Sequence, residues 1–277
     1  MKWNIICDSS CDLFDFEGDA KNASYKSVPF IINIEDREFV DDQSLNTSEL
    51  IAAIKESKEV STTACPSPQA WMELMDKDAN NLLVTISKNL SGSYASAATA
   101  IKMFEEENPA ANTVIIDSCA TGPSAVLAVR KITELINAGK ELEDIVKETE
   151  SYIASMNTCF ALSSFDNLVK NGRMSKLAGV LAKTLEFWGV GVENGGRIAV
   201  KTKVRGKKKA LTALLQIMQE NGLCGDEVVI SHCFNPVMAD KLREEIEGAF
   251  NGVKVTVMNT RGLNSYYAED GGLIISY

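Results

Sequence analysis

Three short apolar runs constrain this chain most, because each ends in a small polar tip and then gives way to a helical stretch. Asn4-Ile5-Ile6-Cys7 runs into Asp8-Ser9-Ser10, and Leu82-Leu83-Val84-Thr85-Ile86 into Ser87-Lys88-Asn89-Leu90-Ser91-Gly92-Ser93. Thr113-Val114-Ile115-Ile116 runs into Asp117-Ser118. Short runs that are apolar at nearly every position read as strands buried on both faces. Helical stretches over residues 48–55, 92–106 and 124–137 alternate with them. That alternation predicts a parallel sheet with helices on its faces. In open sheets of this kind, ligands bind beyond the carboxyl ends of the strands. The three hydroxyl-rich tips are therefore expected along one edge. Each tip has two readings, a ligand contact or an ordinary helix N-cap, for which Ser, Asp and Asn are preferred.

From residue 158 the pattern changes. Strands are expected at 158–162, 197–202, 227–231, 253–258 and 273–277. Helices are expected at 165–170, 176–185, 207–221 and 239–248. Both parallel and antiparallel pairings are open here. The chain thus reads as an α/β protein of two domains, residues 1–157 carrying the tips and 158–277 forming a second α/β unit. No stretch rich in Gly, Pro or Ser separates them, so close packing is expected.

The formal charge of -10 disfavours non-specific binding to nucleic acid or to an anionic membrane surface. No apolar run approaches the roughly 18 residues needed to span a bilayer. The start runs directly into a strand without a signal-peptide pattern, so a cytoplasmic location is expected. Seven scattered cysteines, an odd number, read as thiols and not as a disulfide framework.

The inventory of catalytic groups is sparse. His232 is the one histidine, and at a strand end it reads as a structural residue. Ser91-Gly92-Ser93 is not a nucleophile elbow, and no phosphate-binding glycine loop is present. Cys7 and Cys11 have no second pair to complete a zinc site. No metal, cofactor or catalytic residue is therefore expected. The run Arg205-Gly206-Lys207-Lys208-Lys209 reads either as a solvated helix start or as a docking patch for an acidic group. What does accumulate is hydroxyl groups at strand ends. Neutral donors of that kind suit the orientation of a carboxylate.

Several segments, taken in order, resemble the DegV family of bacterial fatty-acid-binding proteins. They are Ile6-Cys7-Asp8-Ser9-Ser10-Cys11-Asp12-Leu13, Thr63-Ala64-Cys65-Pro66-Ser67-Pro68 and Ile86 through Tyr94. Asp117-Ser118, Leu168 through Ser175 and Arg205 through Ala210 follow. The resemblance implies a two-domain fold with a long-chain fatty acid buried between the domains as ligand. It also implies that the acyl carboxylate is presented to a separate fatty acid kinase, this chain itself not being the enzyme. The carboxylate-binding residues carried over are Thr63, Ser91, Gly92, Ser93, Arg173 and Tyr267, with Asp8, Ser9 and Ser10 in support.

Three departures from the family pattern bear on that site. Ala64 and Cys65 stand where Ser and Gln are usual. Phe187-Trp188-Gly189-Val190 replaces a Lys-Pro segment, and Tyr267 occupies a histidine position. Tyrosine donates a hydrogen bond without being cationic near neutral pH. Two rival functions share the same strand tips. One is an enzyme acting on a small carboxylate or phosphorylated compound, with Asp8 and Asp117 as acid and base. The other is a non-catalytic regulatory domain.

Overall fold

The three apolar runs become strands β1 (Trp3–Asp8), β6 (Asn80–Thr85) and β7 (Asn112–Asp117) in the computed structural model. The structure describes residues 2–16, 20, 22–57, 59–175, 186–223 and 226–277. With β2 (Ala23–Val28), these strands form a parallel sheet of order β2-β1-β6-β7. Period two divides the runs between two cores. Ile5, Cys7, Leu82 and Val84 face Val126, Val129 and Ile132 of helix α4 (Pro123–Asn137). Ile6 and Leu83 face Trp71 of α2 (Pro68–Met72) and Ala97, Ala100 and Phe104 of α3 (Ser93–Glu107). Both faces are covered, which is why alternation is missing from the sequence.

A small sheet of order β4-β3-β5 sits beside it, made of β3 (Ile31–Ile34), β4 (Arg37–Val40) and β5 (Thr62–Ala64). Helix α1 (Thr47–Glu56) covers it through Leu50 and Ala53, against Ile32, Ile34 and Phe39. Asn46 starts α1 by accepting from the Ser48 and Glu49 amides. Helix α5 (Leu142–Ser155) completes the first half by packing on α4.

The second sheet has six strands in the order β10-β9-β8-β13-β11-β12. They are β8 (Thr158–Leu162), β9 (Phe187–Asn194), β10 (Arg197–Arg205), β11 (Glu227–His232), β12 (Lys254–Asn259) and β13 (Leu273–Ser276). Every pair is antiparallel except β11 with β12, so both pairings left open in the sequence occur. Helix α6 (Asp166–Lys170) follows β8. Helices α7 (Lys207–Asn221) and α8 (Pro236–Ala249) cover one face, where Cys159 and Ala161 meet Leu214 and Leu242. On the other face, Phe160 and Leu162 point towards the first half. The helix expected at 176–185 lies outside the described residues. No helix among the described residues is long and apolar enough to cross a membrane.

One late segment is embedded in the first half of the chain. Helix α9 (Gly262–Ala268) packs on α1, β3 and α6. At its start, the Arg261 guanidinium donates to Leu13 O at 3.0 Å, Ser27 Oγ at 2.8 Å and Asp41 O at 2.7 Å. The Gly262 and Leu263 amides donate to the Asp41 carboxylate at 2.8 Å each, so Asp41 caps this helix. The Arg261 amide donates to Asp12 Oδ1 at 2.8 Å.

Asp12 also accepts from Asn264 Nδ2 at 2.8 Å, while its Oδ2 has no close hydrogen-bond partner. Ser231, whose hydroxyl also lacks a close partner, favours the ionised form from further off. Burial outweighs these contacts and raises the Asp12 carboxyl from 3.8 to about 6. A carboxyl with a folded pKa above its unfolded value stabilises the fold at low pH, and that contribution is lost as pH rises through the folded pKa. Asp12→Asn should therefore stabilise the protein at pH 7–8, by up to about 3 kcal/mol for the difference between 3.8 and 6, and hardly at all near pH 4. Urea denaturation at both pH values checks this; a gain independent of pH contradicts it.

Candidate functional site

The first strand tip folds inward. Asp8 is fully buried, and its two carboxylate oxygens accept four hydrogen bonds. Ser10 donates its amide at 3.2 Å and its hydroxyl at 2.5 Å to Oδ1. The Ile86 amide, at 3.0 Å, and the Ser93 hydroxyl, at 2.6 Å, donate to Oδ2. Burial pushes the Asp8 carboxyl up, while the hydrogen bonds pull it back. Asp8 thus ties the end of β1 to the end of β6 and the start of α3. Ser9 Oγ accepts from the Phe30 amide at 3.0 Å, fixing the tip against the chain entering β3.

This wiring places two of the expected residues away from the inner cavity. Ser93 is buried and spends its hydroxyl on Asp8, so it supports the site from behind. Gly92 is exposed in an outer groove with Ser91 and does not line the inner cavity. The third tip also closes on itself. Asp117 accepts from the Cys119 amide at 2.9 Å, and Ser124 donates to Ser118 O at 2.8 Å. Asp8 and Asp117, offered as acid and base by the enzymatic alternative, are both absent from the cavity lining. His232 Nδ1 accepts from the Asn235 amide at 3.3 Å, the structural role expected of it.

Four of the expected residues do meet. Thr63, Ser91, Arg173 and Tyr267 line one cavity between the two halves. Around them its walls are mostly apolar, with Phe30, Ile86, Leu90 and Leu263 on one side and Phe160 and Ile274 on the other, and Glu193 and Arg197 also reach the lining. Thr63 Oγ1 and Tyr267 OH share a hydrogen bond of 2.8 Å. Burial raises the Tyr267 phenol, the Thr63 hydrogen bond and Arg173 opposing it, so the ring is a neutral donor. The Arg173 guanidinium lies 5.9 Å from the centroid of that ring. It is held there by donating Nε to Leu90 O at 3.2 Å and Nη1 to Asn171 O at 2.6 Å. Ser91 Oγ accepts from the Ser93 amide at 3.2 Å, which leaves its own proton able to donate elsewhere.

An outer groove adjoins the site and shares Leu90, Ser91, Arg173, Arg197 and Ile198 with the cavity. Across the seam stands the turn joining β9 to β10. Gly195 and Gly196 both have positive φ, 61° and 76°, as a two-residue hairpin turn of type I′ requires. Ser87 Oγ donates to Gly196 O and Asn89 Nδ2 to Gly195 O, both at 2.8 Å. A Cβ on Gly196 would lie 2.5 Å from Ser87 Oγ, so the turn seats only with glycine there. The β6 tip therefore clasps the second half of the chain as well as shaping the cavity.

Sequence reasoning missed the Arg261 anchor and the Ser87–Asn89 clasp. The signal for the first was Thr260-Arg261-Gly262 directly after a strand, a polar tip like the three it did find. The four cavity residues were found through the resemblance, and the basic run 205–209 is exposed at the end of β10 and the start of α7, save for half-buried Gly206.

A parallel-sheet half and a mixed-sheet half with a largely apolar cavity between them define the architecture of this chain. A family profile described as "Uncharacterised protein, DegV family" matches residues 2–275, and the chain belongs to that family. It is 36% identical over 278 residues to a DegV domain-containing protein of Streptococcus pyogenes serotype M18, covering 100% of this chain and 99% of the relative. Its fold matches the crystal structure of the Streptococcus pneumoniae Fatty Acid Kinase (Fak) B3 protein loaded with linoleic acid. The TM-score is 0.97 at 35% identity, over 100% of this chain and 99% of that one. A DegV family protein from Eubacterium eligens loaded with heptadecanoic acid matches with TM-score 0.94 at 33% identity, over 99% and 98% of the chains.

Proposed function

We propose that this protein binds one long-chain fatty acid, with its tail in the cavity and its carboxylate at Thr63, Ser91, Arg173 and Tyr267. The observation carrying this reading is that these four residues, drawn from four separate segments, meet at one apolar cavity. The tail supplies most of the affinity, at about 0.8 kcal/mol per buried CH₂. The hydroxyls add orientation, each hydrogen bond to a charged group contributing about 1.5–3 kcal/mol. In this reading residues 1–157 supply Thr63 and Ser91 to the head group, residues 158–277 supply Arg173 and Tyr267, and both halves wall the acyl chain. Asp8, Ser9, Ser10 and Ser93 hold the β1 and β6 tips in place.

The protein acts as a cytoplasmic carrier without a catalytic group of its own, offering the carboxylate through the outer groove to a separate fatty acid kinase. The fatty-acid-loaded relatives support the ligand, and the name of the pneumococcal relative supports the kinase. Native mass spectrometry of the purified protein should show a co-purified mass of one fatty acid. Protein that arrives empty and takes up neither palmitate nor oleate contradicts the proposal.

A further inference from the structure

Strand β9 carries two glycines, Gly189 and Gly191, in an otherwise apolar stretch. Glycine inside a strand weakens it and packs nothing, so a pair on one face calls for a reason. The reason is two aromatic rings and, at Gly191, the backbone of β10 as well. Phe160 of β8 pairs in register with Gly191 on one side and Ile274 on the other. A strand side chain ordinarily stands upright from its sheet. The Phe160 ring leans over the neighbouring strand instead, and a Cβ on Gly191 would lie 2.4 Å from its Cζ and 2.3 Å from the Ala199 carbonyl oxygen of β10. Phe165 does the same over Gly189, where a Cβ would lie 2.1 Å from its Cζ. The two rings meet edge to face, with centroids 6.3 Å apart and an interplanar angle of 87°. The glycines form a trough that accepts both rings.

Phe160 is also a wall of the cavity and is 7% exposed. Lying in the trough, its ring leaves open the space that an upright ring would fill. We propose that Phe160, seated over Gly191, is the residue that sets the width of the cavity and so governs whether a bent, cis-unsaturated acyl chain is accepted as readily as a straight one. The inference rests on the fatty-acid reading above. Phe165 holds the ring down and acts as a positioning residue, since it is absent from the cavity lining.

The test compares the dissociation constants of stearate and of the cis-unsaturated C18 acid oleate, by displacement of a fluorescent fatty acid. Phe160→Trp narrows the cavity and should raise the oleate-to-stearate ratio of dissociation constants by about fourfold or more, the effect of one buried methylene. Phe160→Leu, a smaller change that keeps the core apolar, should lower that ratio. Should the tryptophan variant fail to fold, the leucine variant decides alone. Ratios within twofold of wild type in every folded variant overturn the inference. Wild-type protein that binds neither acid is a different failure, since it overturns the fatty-acid reading itself.

Discussion

Arg261→Met should lower folding stability by about 3–5 kcal/mol, the usual consequence of removing one partner from a buried charge cluster. The guanidinium is 1% exposed, and beside it lie Asp41, fully buried, and Asp12, 3% exposed. Arg261 Nε is 3.8 Å from Asp41 Oδ1 and has no hydrogen bond of its own, whereas both terminal nitrogens are bonded. Methionine keeps the length of the side chain and removes the charge and all these donors. Leu13 O, Ser27 Oγ and Asp41 O then lose a partner, and Leu13 and Asp41 are buried.

The loss should depend on pH. Burial raises both carboxyls, and the guanidinium is among the forces lowering them. Without it their folded pKa values rise further above the unfolded ones. Stability contributed by such groups is kept below the unfolded pKa and lost as pH rises through the folded one. The variant should therefore be more impaired at pH 8 than at pH 5, where the carboxyls take up protons. Chemical denaturation at the two pH values checks this; a loss below about 1 kcal/mol at both would show that the cluster does not hold the α9 segment in place.

Thr63→Ala combined with Ser91→Ala should weaken fatty-acid binding by about 2–4 kcal/mol, roughly 30- to 1,000-fold, while leaving stability nearly unchanged. Each hydroxyl is half-buried and borders the cavity, so alanine costs little packing. The double variant leaves Tyr267 without its 2.8 Å partner and the carboxylate with Arg173 and one phenol. Binding should persist in weakened form, because burial of the tail is untouched. Equal affinity of variant and wild type, measured by fluorescent-lipid displacement, would move the carboxylate away from these residues.

How much of this was legible in the sequence follows from where each element gets its stability. Strands β1, β6 and β7 were legible because burial on two faces demands apolar residues at nearly every position. Strands β2 to β5 were not. Arg37-Glu38-Phe39-Val40 buries only Phe39, and Thr62-Thr63-Ala64 is held by pairing with β3, a contact across 30 residues of chain. Strand β9 was hidden by its own glycines, which interrupt the apolar pattern of a strand. Helix α5, on an acidic amphipathic stretch, was passed over although its apolar face is present in Ile145 and Ile153.

The site was legible in part. Thr63, Ser91, Arg173 and Tyr267 came from short motifs in a fixed order, and they do share one cavity. The division of labour among the hydroxyls was not legible. Ser91 and Ser93 are two residues apart and look alike, yet one lines the cavity and the other serves Asp8, 85 residues earlier. Arg261 was invisible for the same reason, its partners lying more than 200 residues away. Contacts of that range are created by the packing of the two halves and leave no local periodicity.

The central claim is that a fatty acid occupies the cavity with its carboxylate against Thr63 and Ser91. Titration of delipidated protein with oleate tests it most directly, run in parallel on wild type and on the Thr63→Ala, Ser91→Ala variant. Saturable uptake of one equivalent by wild type, with a clearly weaker isotherm for the variant, is the predicted result. Wild type that shows no saturable uptake, or a variant that binds as tightly as wild type, would contradict the account.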